Sequence, residues 1–260
     1  SRRVELGLRY RHVGTGYRNE IGIEERVGVD YRQVTGQLNH FPEAGPLQRV
    51  SWTQMALMVH DHTGRLDFYE ITPGIDWALR NNQFVWTGMP FMREHWLSRD
   101  YDVPRFHLYY ENYVWRAVSF SGDLDVGKGI YFGAADASSY SIWQESYDLS
   151  ATVRPTAWIT VEPTANHLRL ARRAGEQSFL SLWLVGAKAT AQFTRRLSVR
   201  VYPQYDSDSR HLVLNALGGY VLNPGTVLYV GVNSGWDEHQ RREHLISRQV
   251  FAKASYRFQR

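Results

Sequence analysis

The sequence contains no cysteine. That absence suits an oxidising compartment in which stray thiols are a hazard, and chance accounts for it equally well. It has no run approaching the ~18 apolar residues of a spanning helix, which excludes a helical membrane protein. It has no Lys/Arg block, and a formal net charge of +4 over 260 residues is too small to argue for nucleic acid. It has no H-E-x-x-H, no G-x-S-x-G, no phosphate loop and no dinucleotide fingerprint, so no cofactor is expected and no reaction is assigned. A mean hydropathy of -0.44 resembles that of a water-soluble protein. A transmembrane barrel, however, carries its apolar half in alternation, and its mean hydropathy stays low too.

What is there is alternation. In "VELGLRYRHV", Val4, Leu6, Leu8 and Tyr10 take one parity and Glu5, Gly7, Arg9 and Arg11 the other. In 178–195, Val185, Ala187, Ala189, Ala191 and Phe193 oppose Gly186, Lys188, Thr190, Gln192 and Thr194. Successive side chains of a strand point to opposite faces, so period two over such lengths predicts strands with one greasy face. No segment carries a 3.6-residue stripe. Strands are predicted over 3–13, 28–41, 47–60, 66–80, 82–95, 104–119, 123–133, 140–154, 157–171, 178–195, 197–207, 210–222, 226–236 and 246–258.

Short breaks such as "RNNQ" (80–83), "RPTA" (154–157) and "LNPGT" (222–226) alternate with longer polar ones. The longer ones include 60–65, 97–103, 133–139, 171–177, 206–211 and 236–244. The fold class expected is all-β: an antiparallel up-and-down transmembrane barrel of about fourteen strands, with tight periplasmic turns and longer extracellular loops. Residues 1–260 read as a single barrel domain, a processed chain or part of a longer one. Trp52, Trp77, Trp96, Trp143, Trp158, Trp236, Tyr256 and Phe258 lie near strand ends, where a membrane girdle places aromatic rings.

The last strand carries Val250, Ala252, Ala254, Tyr256 and Phe258 on one parity. This resembles the general signal by which outer-membrane barrels are recognised for insertion. It implies the barrel assembly machinery as a partner. It also implies that the last strand pairs with the first, leaving no open edge.

The ionisable residues expected to face the lumen are Arg9, Arg11, Glu70, Asp76, Arg80, Glu162, Lys188, Arg200, Lys253 and Arg257. At bilayer depth such groups are tolerated only against water or each other. A lumen of this strand number is too wide for side chains alone to fill easily, so it conducts or something plugs it. The first loop, 14–27, is one candidate plug; a periplasmic domain or partner protein is the other. "HDH" (60–62) and "WDEHQRREH" (236–244) read as polar loops. The first could offer two imidazoles to a metal, the second a contact for calcium or lipopolysaccharide; no metal or catalytic residue is assigned.

Three stretches carry a more specific likeness. "QYDSDSRHLVLNALGGYVLNPGTVLYVGVNSGWD" (204–237) and "RQVFAKASYRF" (248–258), with "EIGIEERVGVDYRQVTG" (20–36), are similar to the C-terminal outer-membrane barrel of a bacterial family of unknown function. The N-terminal half of that family resembles a family 9 carbohydrate-binding module. The resemblance implies a strand framework and an outer-membrane location among lipids and lipopolysaccharide, and no catalytic residues. The expected role is a passive channel, or the membrane anchor of a larger envelope assembly. An outer-membrane barrel enzyme acting on lipid or glycan, and a soluble all-β binding protein, are the alternatives.

Overall fold

A computed structural model describes residues 3–15, 27–96, 99–132, 139–223, 225–239 and 242–256. Among them every regular element is a strand. In chain order these are β1 (Val4–Val13), β2 (Val29–His40), β3 (Leu47–Asp61), β4 (Leu66–Leu79), β5 (Gln83–Gly88), β6 (Phe91–Trp96), β7 (Arg99–Asn112) and β8 (Val118–Tyr131). They continue as β9 (Tyr140–Thr156), β10 (Ile159–Ala171), β11 (Ser178–Gln192), β12 (Leu197–Asp206), β13 (His211–Asn223), β14 (Thr226–His239) and β15 (Arg242–Tyr256). The hydrogen-bonded order is β1-β2-β3-β4-β5-β7 and then β8 through β15 in sequence, with β6 paired to β4 and β7. The fold class is therefore all-β, an antiparallel up-and-down sheet of the kind from which membrane barrels are built.

The fifteenth strand is half of an expected one. The arm expected at 82–95 is broken at Met89 and Pro90 into β5 and β6, both of which pair with β4. Proline has no N–H to give a ladder, so pairing lapses there. The Met89 N–H reaches the Pro73 carbonyl at 3.0 Å, and the Arg105 N–H reaches that of Pro90 at 2.9 Å, stitching the break on both sides.

Three expected connections move. The break expected between the strands 104–119 and 123–133 lies inside β8, and the chain turns at 113–117 instead. Most of the loop expected at 97–103 is the start of β7, whose Arg99 pairs Trp96. Most of the loop expected at 236–244 is strand, with His239 opposite Arg242. The second strand, whose alternation is weak, is complete: Val29 to His40 face Asp61 to Val50 without a slip.

The chain forms two compact units. The first comprises Ser1–Tyr110, Asp123–Glu145 and Leu170–Phe179; the second comprises Glu111–Gly122, Ser146–Arg169 and Leu180–Arg260. The divisions fall within β7 to β11, each of which contributes residues to both.

In the first unit the apolar parity is open to its surroundings: Leu8 is 76% exposed, Leu38 58% and Trp52 57%. The opposite parity is more covered, and at one end it is not polar. Val13, Val29 and Val59 are buried together there, with Tyr31, Leu57 and Phe68 packed against them. The rule that one parity is wet thus fails at that end, because valines occupy the covered positions. Next to it in sequence is the turn 62–65, capped by Asp61, whose carboxylate accepts from the Thr63 N–H and hydroxyl and from the Arg65 N–H at 2.6–2.9 Å. That occupation accounts for the Asp61 of "HDH" as a turn cap.

In the second unit β11 to β15 form an unbroken meander. Ala189 faces Val201 on the apolar parity, and Thr190 faces Arg200 on the polar one. Asn223 pairs Thr226 across 224–225, where Gly225 takes a φ of +105°, a region a side chain rarely enters. Phe251, the one large apolar residue on the polar parity of β15, covers Gly231, where a Cβ would stand 2.4 Å from its ring. An aromatic ring covering a neighbouring strand's glycine is a recognised sheet device.

Candidate functional site

The first unit holds a cavity of about 920 Å³. Its wall is built by register. On the polar parity Glu5 faces Gln37, which faces Thr53, which faces Gly74, which faces Gly88. One step along, Gly7 faces Thr35, which faces Met55, which faces Thr72. Polar and small residues at these positions leave a volume that bulky ones would fill.

The break at Met89–Pro90 shapes one side. Gly74 and Gly88 carry no side chain, and the Trp86 indole lies over both: a Cβ on Gly88 would stand 2.3 Å from the ring and one on Gly74 3.0 Å. The indole N–H donates to the Thr53 hydroxyl at 3.4 Å. Its ring meets His107 edge-on, 4.9 Å between centroids.

The charges come mainly from β7 and β8. Arg105 donates to the Asp125 carboxylate at 3.2 Å, to the Lys128 carbonyl at 2.9 Å and to the Gln144 side-chain carbonyl at 3.4 Å. His107 lies 2.9 Å from Asp123 and 3.6 Å from Asp125. The backbones are close here because Gly127 has no Cβ; one would stand 2.4 Å from the Pro104 carbonyl oxygen. Glu70 accepts from the Thr72 hydroxyl at 2.6 Å. The lining thus mixes carboxylates, a guanidinium, an imidazole, two carboxamides and an indole with the apolar side chains of Val4, Leu6, Met55 and Met92.

Beyond the cavity, the polar parity continues as a sealed network. The Ser51 hydroxyl donates to the Asn39 side-chain carbonyl at 2.6 Å, and Gln37 donates to the same oxygen at 2.9 Å. Asp76, 4% exposed, pairs with Arg49 at 3.0 Å. A buried charge left without a partner is costly, and this pairing supplies one.

The residues expected to line a lumen distribute unevenly. Glu70 lines the cavity and Asp76 sits in the sealed network. Arg9 and Arg11 lie on the polar parity of β1, opposite Gln33 and Tyr31, with the Arg11 guanidinium 5.6 Å above the Tyr31 ring. Arg80 is not on a strand. It lies in the turn 80–82 and donates to the carbonyls of Pro42, Glu43 and Gly45, tying two turns together, because the alternation of β4 stops at Leu79. In the second unit Lys188 pairs with Glu162 at 2.6 Å. Arg200 faces Leu217 and Lys253 faces Tyr229. Arg257 lies outside the described residues.

Of the terminal pattern, Val250, Ala252, Ala254 and Tyr256 face Val232, Val230, Leu228 and Thr226 on the apolar parity of β15. Phe258 lies outside the described residues, as do residues 16–26 of the first loop and the side chains of 238–244 in "WDEHQRREH".

Arg105, His107, Asp123 and Asp125 were not singled out by sequence reasoning. Their signal was present as two i, i+2 pairs, Arg105/His107 and Asp123/Asp125. The two pairs lie on neighbouring strands, β7 and β8, and neither pair by itself encodes the register that brings them together.

No family model matches the chain. No curated protein matches it in sequence. Among solved structures it is similar to OmpT, an outer membrane protein of Vibrio cholerae (TM-score 0.36, 6% identity, 97% of this chain and 94% of that one). It is also similar to a FadL homologue of Pseudomonas aeruginosa (TM-score 0.31, 11% identity, 97% of this chain and 86% of that one). At these scores neither likeness brings an activity with it.

Proposed function

We propose that the chain is the membrane-embedded barrel of a bacterial outer-membrane protein and acts as a passive channel for small polar solutes. One observation carries this: strands that leave their apolar parity open also bound a partly open cavity of about 920 Å³, lined largely by residues of the other parity and carrying charged and polar groups. An exposed greasy face of this extent is costly in water and favourable against acyl chains. The lumen-lining candidates on the strands, with Arg105, His107 and Asp125, are the groups a permeating solute would meet. Membership of the module-bearing outer-membrane family rests on the stretches 204–237 and 248–258.

A second reading, anchor rather than conduit, is favoured by the Val13, Val29 and Val59 cluster on the otherwise polar parity. Planar-bilayer recording of the refolded chain separates the two. Discrete conductance steps are expected of a channel. Stable insertion without conductance leaves the anchor, and monodispersity without detergent sinks both.

A further inference from the structure

We propose that Ser247, His211 and Asp237 form a nucleophilic serine site on the polar parity of the second unit, taking water-borne carboxylic esters. The inference is independent of the channel reading.

The three residues come from three neighbouring strands. His211 on β13 faces Asp237 on β14, and Gly235, two residues before Asp237, faces both Val213 on β13 and Ser247 on β15. His211 Nδ1 lies 2.7 Å from the Asp237 carboxylate. A carboxylate at Nδ1 holds the proton on that nitrogen and leaves Nε2 with its lone pair free to accept one.

Gly235 supplies the gap that Nε2 faces. A Cβ there would stand 3.1 Å from His211 Nε2 and 3.3 Å from Ser247 Oγ. Base and hydroxyl therefore flank the same small space, which any other residue would fill. The register of β14 on β15 shifts at this point, Gly235 facing Ser247 and Trp236 facing Leu245. Such bulges re-aim side chains and recur beside active sites. Two residues further from the dyad, Asn233 faces Asn215 and Gln249, bringing carboxamide N–H donors to the same parity. Donors of that kind stabilise an oxyanion.

The step balances without a further reagent. Ser247 Oγ gives its proton to His211 Nε2 and bonds to the ester carbonyl carbon. The bond from that carbon to the alcohol oxygen then breaks, and the alcohol leaves with the proton from Nε2. Water, deprotonated by the same nitrogen, releases the acid and restores the serine.

The test is labelling of the full chain, refolded in detergent, by a fluorophosphonate probe, with the adduct mapped by mass spectrometry and hydrolysis of p-nitrophenyl acetate measured in parallel. The adduct is expected on Ser247. Ser247→Ala should abolish it, and His211→Gln should slow it roughly a hundredfold or more, the worth of a positioned base. Gly235→Ala, which fills the gap with one methyl group, should also slow it. Heat-shifted gel mobility identifies variants that still fold. The proposal is overturned if the folded wild type takes no label, if the label maps elsewhere, or if folded His211→Gln labels at the wild-type rate.

Discussion

At the residue scale, the informative side chains are those that break the pattern around them. Phe251 and Trp86 are large aromatics on the polar parity, and each is explained by the glycines it covers. Removing Trp86 exposes Gly74 and Gly88 and opens the cavity wall. Trp86→Ala should cost about 2–3 kcal/mol, below the usual figure for a fully buried tryptophan because this one is half-buried. Denaturant unfolding in lipid vesicles checks it. The face assignment has its own test at neighbouring positions. Ala189→Arg puts a charge on the apolar parity and should cost about 2–4 kcal/mol near the midplane, whereas Thr190→Gln on the polar parity should be nearly neutral. Equal costs would show the faces to be misassigned.

At the element scale, the turn at 113–117 shows why boundaries are harder to read than strands. Tyr113, Val114 and Trp115 are large, apolar and exposed, and in sequence they pass for strand. The turn is made by the buried Asn112, whose side-chain carbonyl accepts from the Val114 N–H at 3.0 Å. Side-chain capping of this kind is a strong turn device with a weak sequence signal. Asn112→Ala removes the acceptor and should cost about 1 kcal/mol. Faster amide exchange at Val114, with little change at Leu149, is the accompanying readout; uniform change would argue against a local role. The arm broken at Met89 and Pro90 is the converse case: proline was visible in the sequence, but the two stitching bonds that hold the break depend on partners in β4 and β7.

At the scale of the whole molecule, the outward parity is expected to contact acyl chains. Single-tryptophan variants refolded into vesicles of brominated lipid test this directly. Trp52, 57% exposed on the apolar parity, should be strongly quenched, and Trp86, against the cavity, should keep most of its emission. Similar quenching of both would remove the membrane reading. Conductance then depends on how far the buried valines at one end of the first unit obstruct the polar parity. Val59→Ser would loosen that packing, and larger conductance steps than in the wild type are expected if it forms the constriction.

The sequence alone determined the strands and their two faces. Alternation is a local property, written in every second residue, and it needs no knowledge of neighbours. Of the lumen candidates it offered, Glu70 lies against the cavity and Lys188 pairs with Glu162. What only the tertiary structure decided is which polar residues meet. His211, Asp237 and Ser247, like Arg105 with Gln144, lie on different strands and are brought together by register, which hydrogen bonding between distant segments sets. No spacing along one chain segment encodes that, and the same holds for the valines that close over one another at the end of β1, β2 and β3.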